Sequence, residues 1–145
     1  MTSTLLPIDY GVPQGSILGP LLFIIFVNDL QNATKLFIKL FADDTFLCAQ
    51  NSNLGLLEAE VNAELKKVYE WLYVNKLTLN ISKSKYMLVT NKKDIRNPSI
   101  CINDELLESC EKYKYVGEVF DKNLSWKPHI EHVCKKVAKS CGAIA

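Results

Sequence analysis

The sequence predicts a small α+β domain. Three observations support this fold class: two short apolar runs flank a pair of adjacent aspartates, a long stretch of helical periodicity follows, and several strand-like segments come next. Strands that follow one another after a helix are typical of an antiparallel layer covered by helices. With 145 residues, 48% of them hydrophobic and 23% charged, the chain has the composition of one globular domain with a single core.

The first predicted element is a helix that starts after a loop at residues 11–16. Ser16 is a good N-cap, and Pro20 is tolerated because it falls in the first helical turn. The helix should continue to about Leu30. Residues 21–27 are apolar on every face, so we expect them to be buried on most sides. This run is well short of the roughly 18 residues that a membrane span needs, and we expect no membrane segment.

A β-hairpin is predicted next, with strands at residues 36–40 and 45–49 and two carboxylates, Asp43 and Asp44, at its tip. Adjacent carboxylates repel each other and desolvation penalises each of them, so a cation should compensate their charge. Mg²⁺ prefers oxygen ligands and is usually held by one or two carboxylates together with substrate phosphates. The pair is therefore a candidate metal site, and a solvated Asp-Asp turn is the alternative.

Residues 51–53 open a long amphipathic helix. Its apolar residues recur at three- and four-residue steps and form a stripe that should pack against a sheet: Leu54, Leu57, Val61, Leu65, Val68 and Leu72. Three strands are predicted beyond this helix, at residues 86–90, 99–102 and 114–120, separated by polar loops.

The last predicted element is an amphipathic helix that starts near Pro128. The residues of its apolar face are Ile130, Val133, Cys134, Val137, Cys141 and Ile144. The lysines of the opposite face include Lys135, Lys136 and Lys139. Residues 1–65 hold two lysines and seven acids, a net −5, whereas residues 112–145 hold seven lysines and three acids, a net +4. This distribution suits metal ions in the first half and phosphates at the end, and ordinary surface variation is the alternative.

The overall charge and the cysteines say less about function. A net charge of +1 argues neither for nor against nucleic acid as a partner. The five cysteines are odd in number and irregularly spaced, and they follow no secretory signal. We therefore expect reduced thiols and an intracellular protein, without a preference for nucleus or cytoplasm.

Five motifs occur in order along nearly the whole chain. They are the Gly-Val-Pro-Gln-Gly-Ser loop with the helix start (residues 11–23), Phe-Ala-Asp-Asp-Thr (41–45), Leu-Thr-Leu-Asn-Ile-Ser-Lys-Ser-Lys (77–85), Tyr-Val-Gly (115–117) and Leu-Ser-Trp-Lys-Pro-His-Ile (124–130). Together they resemble the reverse transcriptases of non-LTR retrotransposons of the jockey or LINE type. The resemblance implies a partial polymerase palm at residues 1–120 and the start of a thumb at residues 121–145.

The same resemblance implies roles for individual residues. The ligands of two Mg²⁺ ions in templated nucleotidyl transfer would be Asp43 and Asp44, and a general acid for the leaving pyrophosphate would be Lys83. The nucleotide and template pocket would be lined by Pro13, Gln14, Gly15 and Ser16. The primer grip would contain Tyr115 and Gly117, and the duplex would be contacted by Lys135, Lys136 and Lys139. The implied partners are an RNA template, a DNA primer and deoxynucleoside triphosphates.

One part of the family's site is expected to lie outside these residues. The family places its first catalytic aspartate on a strand upstream of the Pro-Gln-Gly loop, whereas only ten residues precede Gly11 and Asp9 lies too close to the loop. We therefore expect the chain to be a polymerase fragment that is poorly active in isolation. Two other interpretations stay open: a non-catalytic nucleic-acid-binding remnant and an inert pseudogene product.

Overall fold

The computed structural model describes residues 15–92 and 94–142, which form three α-helices and eight short strands. The helices are α1 (Leu18–Val27), α2 (Leu54–Val74) and α3 (Lys127–Gly142), and 3-10 turns cover Asn28–Asn32 and Ile81–Lys83. The strands are β1 (Phe37–Phe41), β2 (Asp44–Cys48), β3 (Lys85–Tyr86), β4 (Cys101–Ile102), β5 (Glu105–Leu106), β6 (Glu108–Ser109), β7 (Lys112–Tyr115) and β8 (Glu118–Asp121). The predicted α+β class is confirmed.

The core forms between α2 and the β4–β5 hairpin. Asn53 caps α2, because its side-chain oxygen accepts hydrogen bonds from the N–H groups of Gly55 (2.8 Å) and Leu56 (3.1 Å). The buried cluster joins one residue of α2 to three residues around the hairpin: Leu65, Ile100, Ile102 and Leu107. The predicted packing of the α2 stripe against strands is therefore confirmed.

Three antiparallel hairpins organise most of the strands. β1 pairs with β2, β4 with β5 and β7 with β8, and each pair is joined by a two-residue turn. The single strand predicted at residues 114–120 is therefore wrong. Val116 and Gly117 have φ angles of +48° and +87°, as a type I′ turn requires, and they reverse the chain direction. The Tyr-Val-Gly motif thus lies at the tip of a hairpin.

The predicted single antiparallel layer is also wrong for the described residues, where the strands form four separate two-stranded pieces. The strand predicted at residues 86–90 is reduced to Lys85–Tyr86, which pairs in parallel with β6. The strand predicted at residues 99–102 is reduced to Cys101–Ile102. Strand preference depends on packing partners more than on local sequence, so a short apolar run does not specify a strand's length.

Helix α1 differs most from its prediction. The hydroxyl of Ser16 accepts a hydrogen bond from the N–H of Gly19 (3.0 Å), as expected for a cap, and the α-helix ends at Val27. Burial on most sides is wrong, however, because only Gly19 and Val27 of α1 are buried. The exposed apolar residues of α1 are Leu18, Leu21, Leu22, Ile24, Ile25 and Phe26. An all-apolar pattern predicts that a helix needs cover, but it does not specify which surface supplies that cover.

Helix α3 packs on β8 and begins directly after Trp126, whose carbonyl accepts a hydrogen bond from the N–H of Ile130 (3.0 Å). Its apolar face is largely exposed at Ile130, Val133 and Val137, and Ile144 lies outside the described residues. Within residues 15–92 and 94–142, no helix combines the length and apolar character that a membrane crossing requires.

Candidate active site

Asp43 and Asp44 lie at the tip of the β1–β2 hairpin, as predicted. Phe41 pairs with Asp44, so the turn itself consists of Ala42 and Asp43, and we call residues 42–44 the Asp-Asp turn. Ala42 has a φ of +51°, a conformation that costs a non-glycine residue roughly 1–2 kcal/mol. Both aspartates are exposed, and in the described part of the chain neither forms an ion pair. The strained turn thus presents two negative groups without a protein cation.

The other end of this hairpin is held by Glu64 of α2. One carboxylate oxygen accepts hydrogen bonds from the hydroxyl of Thr34 (3.0 Å) and the N–H of Lys35 (2.7 Å), just before β1 begins. The other oxygen pairs with the ammonium of Lys67 at 2.5 Å. The Lys67 ammonium and then the Lys35 N–H lower the pKa of Glu64 from 4.5 to about 2, against the opposing effect of burial. The ionised carboxylate therefore anchors the strand that leads to the Asp-Asp turn.

The β7–β8 hairpin contacts the β1–β2 hairpin through an aromatic pair. The rings of Phe46 in β2 and Tyr115 in β7 have centroids 5.5 Å apart and are tilted by 36°. Tyr115 directly precedes the turn that contains Gly117. Apart from its chain neighbours, no atom of the described part of the chain lies within 4 Å of the position that a Cβ of Gly117 would take. The structure thus brings the Tyr-Val-Gly and Asp-Asp hairpins together, although they are distant in sequence.

Lys83 ends the 3-10 turn Ile81–Lys83. The side chain of Asn80 caps this turn, because its oxygen accepts hydrogen bonds from the N–H of Lys83 (3.2 Å) and the hydroxyl of Ser82 (2.8 Å). In the described residues, no ion pair or hydrogen bond joins the Lys83 side chain to the Asp-Asp turn. The backbone position of this lysine is well defined, but the structure does not bring it into contact with the two carboxylates.

Two residues that hold the candidate site in place were not predicted from the sequence. Glu64 lies three residues after Val61 and four before Val68, so a charged residue interrupting an apolar stripe was the available signal. Asn80 lies three residues before Lys83, which is the spacing of a side-chain cap. The contact between Phe46 and Tyr115 has no comparable signal, because it joins hairpins that are far apart along the chain.

The structure describes only part of the loop that was predicted to line the nucleotide and template pocket. Pro13 and Gln14 lie outside the described residues. Gly15 has a φ of +83°, and among the described residues beyond its chain neighbours no atom lies within 4 Å of the position that its Cβ would take. The hydroxyl of Ser16 is engaged in capping α1. An open glycine directly before a capped helix lets another molecule approach the backbone closely.

The lysines predicted to contact the duplex lie on α3. All three are exposed, and none takes part in an ion pair among residues 15–92 and 94–142: Lys135, Lys136 and Lys139. Their ammonium groups are therefore available to a ligand in solution.

A metal ion at the Asp-Asp turn would have two protein carboxylates as ligands. The described residues contain no group of three or more His, Cys, Asp or Glu side chains that could hold a metal ion. Mg²⁺ needs fewer protein ligands, since it keeps several waters and takes oxygens from substrate phosphates. The exposed oxygen donors of Asp43 and Asp44 fit such a weakly held ion.

Comparison with known proteins identifies the family. The sequence model of the reverse transcriptases (RNA-dependent DNA polymerases) matches residues 2–120, most of the chain. The chain therefore belongs to the reverse transcriptase family. Enzymes of this family generally use divalent metal ions, a nucleic-acid template and primer, and nucleotide substrates.

The relatives come from retrotransposons of the non-LTR class, which confirms the resemblance seen in the motifs. The RNA-directed DNA polymerase from mobile element jockey of Drosophila funebris is 33% identical over 132 aligned positions, covering 85% of this chain and 14% of the relative. The jockey polymerase of Drosophila melanogaster is 27% identical over 155 aligned positions, which cover 99% of this chain and 17% of the relative. The Pol polyprotein from type-1 retrotransposable element R1 2 of Nasonia vitripennis is 23% identical over 137 aligned positions, which cover 89% of this chain and 33% of the relative.

The alignments cover most of this chain but only a small part of each jockey polymerase. The chain spans less than a fifth of the length of the two jockey polymerases, although most of the chain itself is aligned. No solved structure matches the chain significantly.

Proposed function

We propose that this chain provides the Asp-Asp part of the active site of an RNA-directed DNA polymerase, with Asp43 and Asp44 as Mg²⁺ ligands. The template would be RNA, the primer DNA and the substrates deoxynucleoside triphosphates. Residues 1–120 would belong to the palm and residues 121–145 to the start of the thumb. One observation carries the proposal: two exposed carboxylates share a strained turn, at the tip of a hairpin that contacts Tyr115 through Phe46.

The chemistry follows from the charge at the Asp-Asp turn. Bound Mg²⁺ would activate the primer 3′-hydroxyl and stabilise the leaving pyrophosphate, as in two-metal nucleotidyl transfer. Because neither aspartate pairs with a described protein cation, their full negative charge is available to metal ions. Glu64 holds the segment that leads into β1, so the base of the hairpin is fixed before a metal ion binds.

The other proposed roles concern the substrates. Tyr115 and Gly117 would hold the primer end next to the carboxylates, and the missing side chain of Gly117 would let a sugar-phosphate backbone approach. Lys83 would donate a proton to the leaving pyrophosphate from the turn that Asn80 caps. Gly15 and Ser16, with Pro13 and Gln14, would line the nucleotide and template pocket.

The lysines of α3 would contact the duplex: Lys135, Lys136 and Lys139. Contacts of this kind position a protein on the sugar-phosphate backbone without reading the sequence. They would also make binding sensitive to salt, because each neutralised phosphate releases counterions.

Manganese titration followed by NMR tests the metal site in the chain itself. Mn²⁺ binds at oxygen-rich sites that also suit Mg²⁺, and it broadens the signals of nearby nuclei. We expect the amide signals of residues 41–45 to broaden and excess Mg²⁺ to restore them. The double variant Asp43→Asn/Asp44→Asn should lose the effect, whereas Asp104→Asn/Glu105→Gln, at another acidic hairpin turn, should keep it. Equal broadening at residues 41–45 before and after removal of the two aspartates would refute the assignment.

A polymerase assay tests the activity of the purified chain on a primed RNA template. We expect no templated incorporation, because among the described residues no third carboxylate joins Asp43 and Asp44 in a metal site. Detectable incorporation would contradict this expectation. Salt-sensitive binding of an RNA–DNA duplex without incorporation would fit the second candidate function, a nucleic-acid-binding remnant, which the exposed lysines of α3 favour.

A further inference from the structure

The loop between β8 and α3 holds an aromatic side chain in an unusual conformation. Trp126 has a φ of +58° and is 51% exposed, and Leu124, two residues earlier, has a φ of +51° and is 55% exposed. The left-handed region is rare for bulky residues and costs of order 1 kcal/mol or more for each of them. Two apolar residues that are half exposed and held in strained conformations on one short loop point to a role in binding.

The loop keeps this conformation because both of its ends are fixed. At its start, the buried carboxylate of Asp121 accepts hydrogen bonds from the N–H groups of Ser125 (2.8 Å) and Asn123 (3.3 Å). At its end, Nδ1 of His129 accepts a hydrogen bond from the N–H of Val119 (3.3 Å), which ties α3 to β8. The loop is therefore held by polar contacts on both sides, and the strain is not relieved by local rearrangement.

The indole of Trp126 is supported by aromatic neighbours and leaves one side open. His129 meets it edge to face, with centroids 5.9 Å apart and an interplanar angle of 71°. The ring centroid of Phe120 lies 6.0 Å from that of Trp126, and the planes of the two rings are tilted by 48°. These contacts fix the plane of the indole ring, which is what a stacking surface requires.

A cavity of about 180 Å³ lies beside the indole, lined by Val119, Phe120, Asp121, Leu124 and Trp126. It is smaller than the roughly 300–1,000 Å³ of pockets that enclose a whole small molecule. Its walls are mainly apolar, and the Asp121 carboxylate is already occupied by the N–H groups of its own loop. The cavity thus suits a single flat ring that also lies against Trp126.

Lysines flank the residues that line this cavity, and Asp121 is the carboxylate among the lining residues. Lys112 and Lys114 of β7 pair in register with Asp121 and Val119, so their side chains leave the hairpin on the same face as these two cavity residues. Lys127 directly follows the tryptophan, and it forms no ion pair among the described residues. A ligand that combines a flat apolar ring with negative charge therefore matches this surface.

We propose that Trp126 is a stacking site for an unpaired nucleobase of single-stranded RNA or DNA, with phosphates neutralised by Lys112, Lys114 and Lys127. The inference rests on the proposed function for the choice of nucleic acid as partner, and it assigns to the start of the thumb a contact separate from the lysine face of α3. Base stacking on aromatic side chains is independent of sequence, since every base has a flat face.

Fluorescence of a variant with one tryptophan tests the proposal. The chain has two tryptophans, so Trp71→Phe leaves Trp126 as the only one, and the aromatic contact with Phe26 is preserved in kind. Titration with single-stranded oligo(dT) or oligo(U) should quench this fluorescence. A duplex RNA–DNA hybrid of equal length should quench it much less, because its bases are stacked on each other.

Three substitutions separate stacking from attraction by charge. Trp126→Leu, which keeps an apolar side chain, should weaken binding of the single strand about tenfold, whereas Trp126→Phe should weaken it much less. Lys127→Ala should reduce affinity and its salt dependence while the quenching at saturation stays the same. Absence of quenching at low salt, or equal affinity of wild type and Trp126→Leu, would overturn the proposal.

The manganese experiment keeps this test distinct from that of the proposed function. Broadening at residues 41–45 does not depend on Trp126, so broadening without stacking would overturn only the stacking site. Quenching without broadening would support the stacking site and remove the metal assignment at Asp43 and Asp44.

Discussion

Two hairpin turns of this chain carry adjacent carboxylates in the same register. In each, the first carboxylate is the second turn residue and the next one opens the following strand: Asp43–Asp44 after β1 and Asp104–Glu105 after β4. We call residues 103–105 the Asp-Glu turn. The first turn residues have nearly the same φ, +51° for Ala42 and +50° for Asn103.

The two turns differ in how well their residues suit folding. Asn103 tolerates a positive φ, and such residues are preferred in hairpin turns, whereas Ala42 is strained there. The residues that precede the two turns differ in burial. Ile102 is 5% exposed and lies in the core, whereas Phe41 is 56% exposed. Folding therefore accounts for the Asp-Glu turn. The residues of both turns are exposed, but only the Asp-Asp turn places alanine at a positive φ, and local rules that fail in this way are typical of functional sites.

The largest predicted difference concerns the residue before each turn. Ile102→Ala should lower the free energy of unfolding by about 2–4 kcal/mol, because it opens a cavity in the core. Phe41→Ala should lower it by less than about 1 kcal/mol, because the ring is already more than half exposed. Urea unfolding followed by circular dichroism measures both. Losses of equal size would show that the exposed hairpin is as well packed as the core hairpin.

The next difference concerns the anchor of the exposed hairpin, which is polar. The lowered pKa of Glu64, about 2, means that its contribution to stability is complete above about pH 4.5 and is lost as the pH falls toward 2. Glu64→Gln should lower Tm at pH 7 by several degrees and should make Tm less dependent on pH between 4.5 and 2.5.

An exposed ion pair provides the control for this substitution. Glu108→Gln removes the partner of Lys85, but the Glu108 side chain is 68% exposed, so Tm should change little. The account of Glu64 fails if Glu64→Gln leaves both Tm at pH 7 and its acid dependence unchanged.

The smallest predicted effect is a pair of opposite changes at the first turn residues. Ala42→Asn should raise the free energy of unfolding by about 1 kcal/mol, and Asn103→Ala should lower it by a similar amount, because only the asparagine tolerates a positive φ well. Chemical denaturation of the two variants and of the double variant measures both effects. Changes of the same sign in both single variants would remove backbone strain as the difference between the turns.

The elements that could be predicted from sequence are those with local causes. The start of α2 follows from the side chain of Asn53, and its buried stripe follows from helical periodicity through Leu65 and Val68. The turn after residue 115 was not predicted, since Val116 is β-branched and is disfavoured at positive φ. The exposure of α1 was not predictable either, because periodicity carries no information about which surface covers a helix.

In the candidate site, too, features with local causes were predicted and features that depend on tertiary contacts were not. The position of Asp43 and Asp44 at a hairpin tip was predicted, because short apolar runs on both sides of a pair of carboxylates form a local signal. The neighbouring hairpin was not predicted, because the packing of Phe46 on Tyr115 is a tertiary contact. The ionic anchor at Glu64 joins α2 to the segment before β1, and single-chain patterns do not report such pairings.

The central claim is that the Asp-Asp turn carries out chemistry and the Asp-Glu turn does not. A chimera tests it most directly: this chain replaces the matching segment of the Drosophila funebris jockey polymerase, and nucleotide incorporation on a primed RNA template is measured. We predict that Asp43→Asn/Asp44→Asn abolishes incorporation by the chimera, whereas Asp104→Asn/Glu105→Gln leaves it close to that of the unsubstituted chimera. Incorporation that survives the loss of Asp43 and Asp44 would contradict the account.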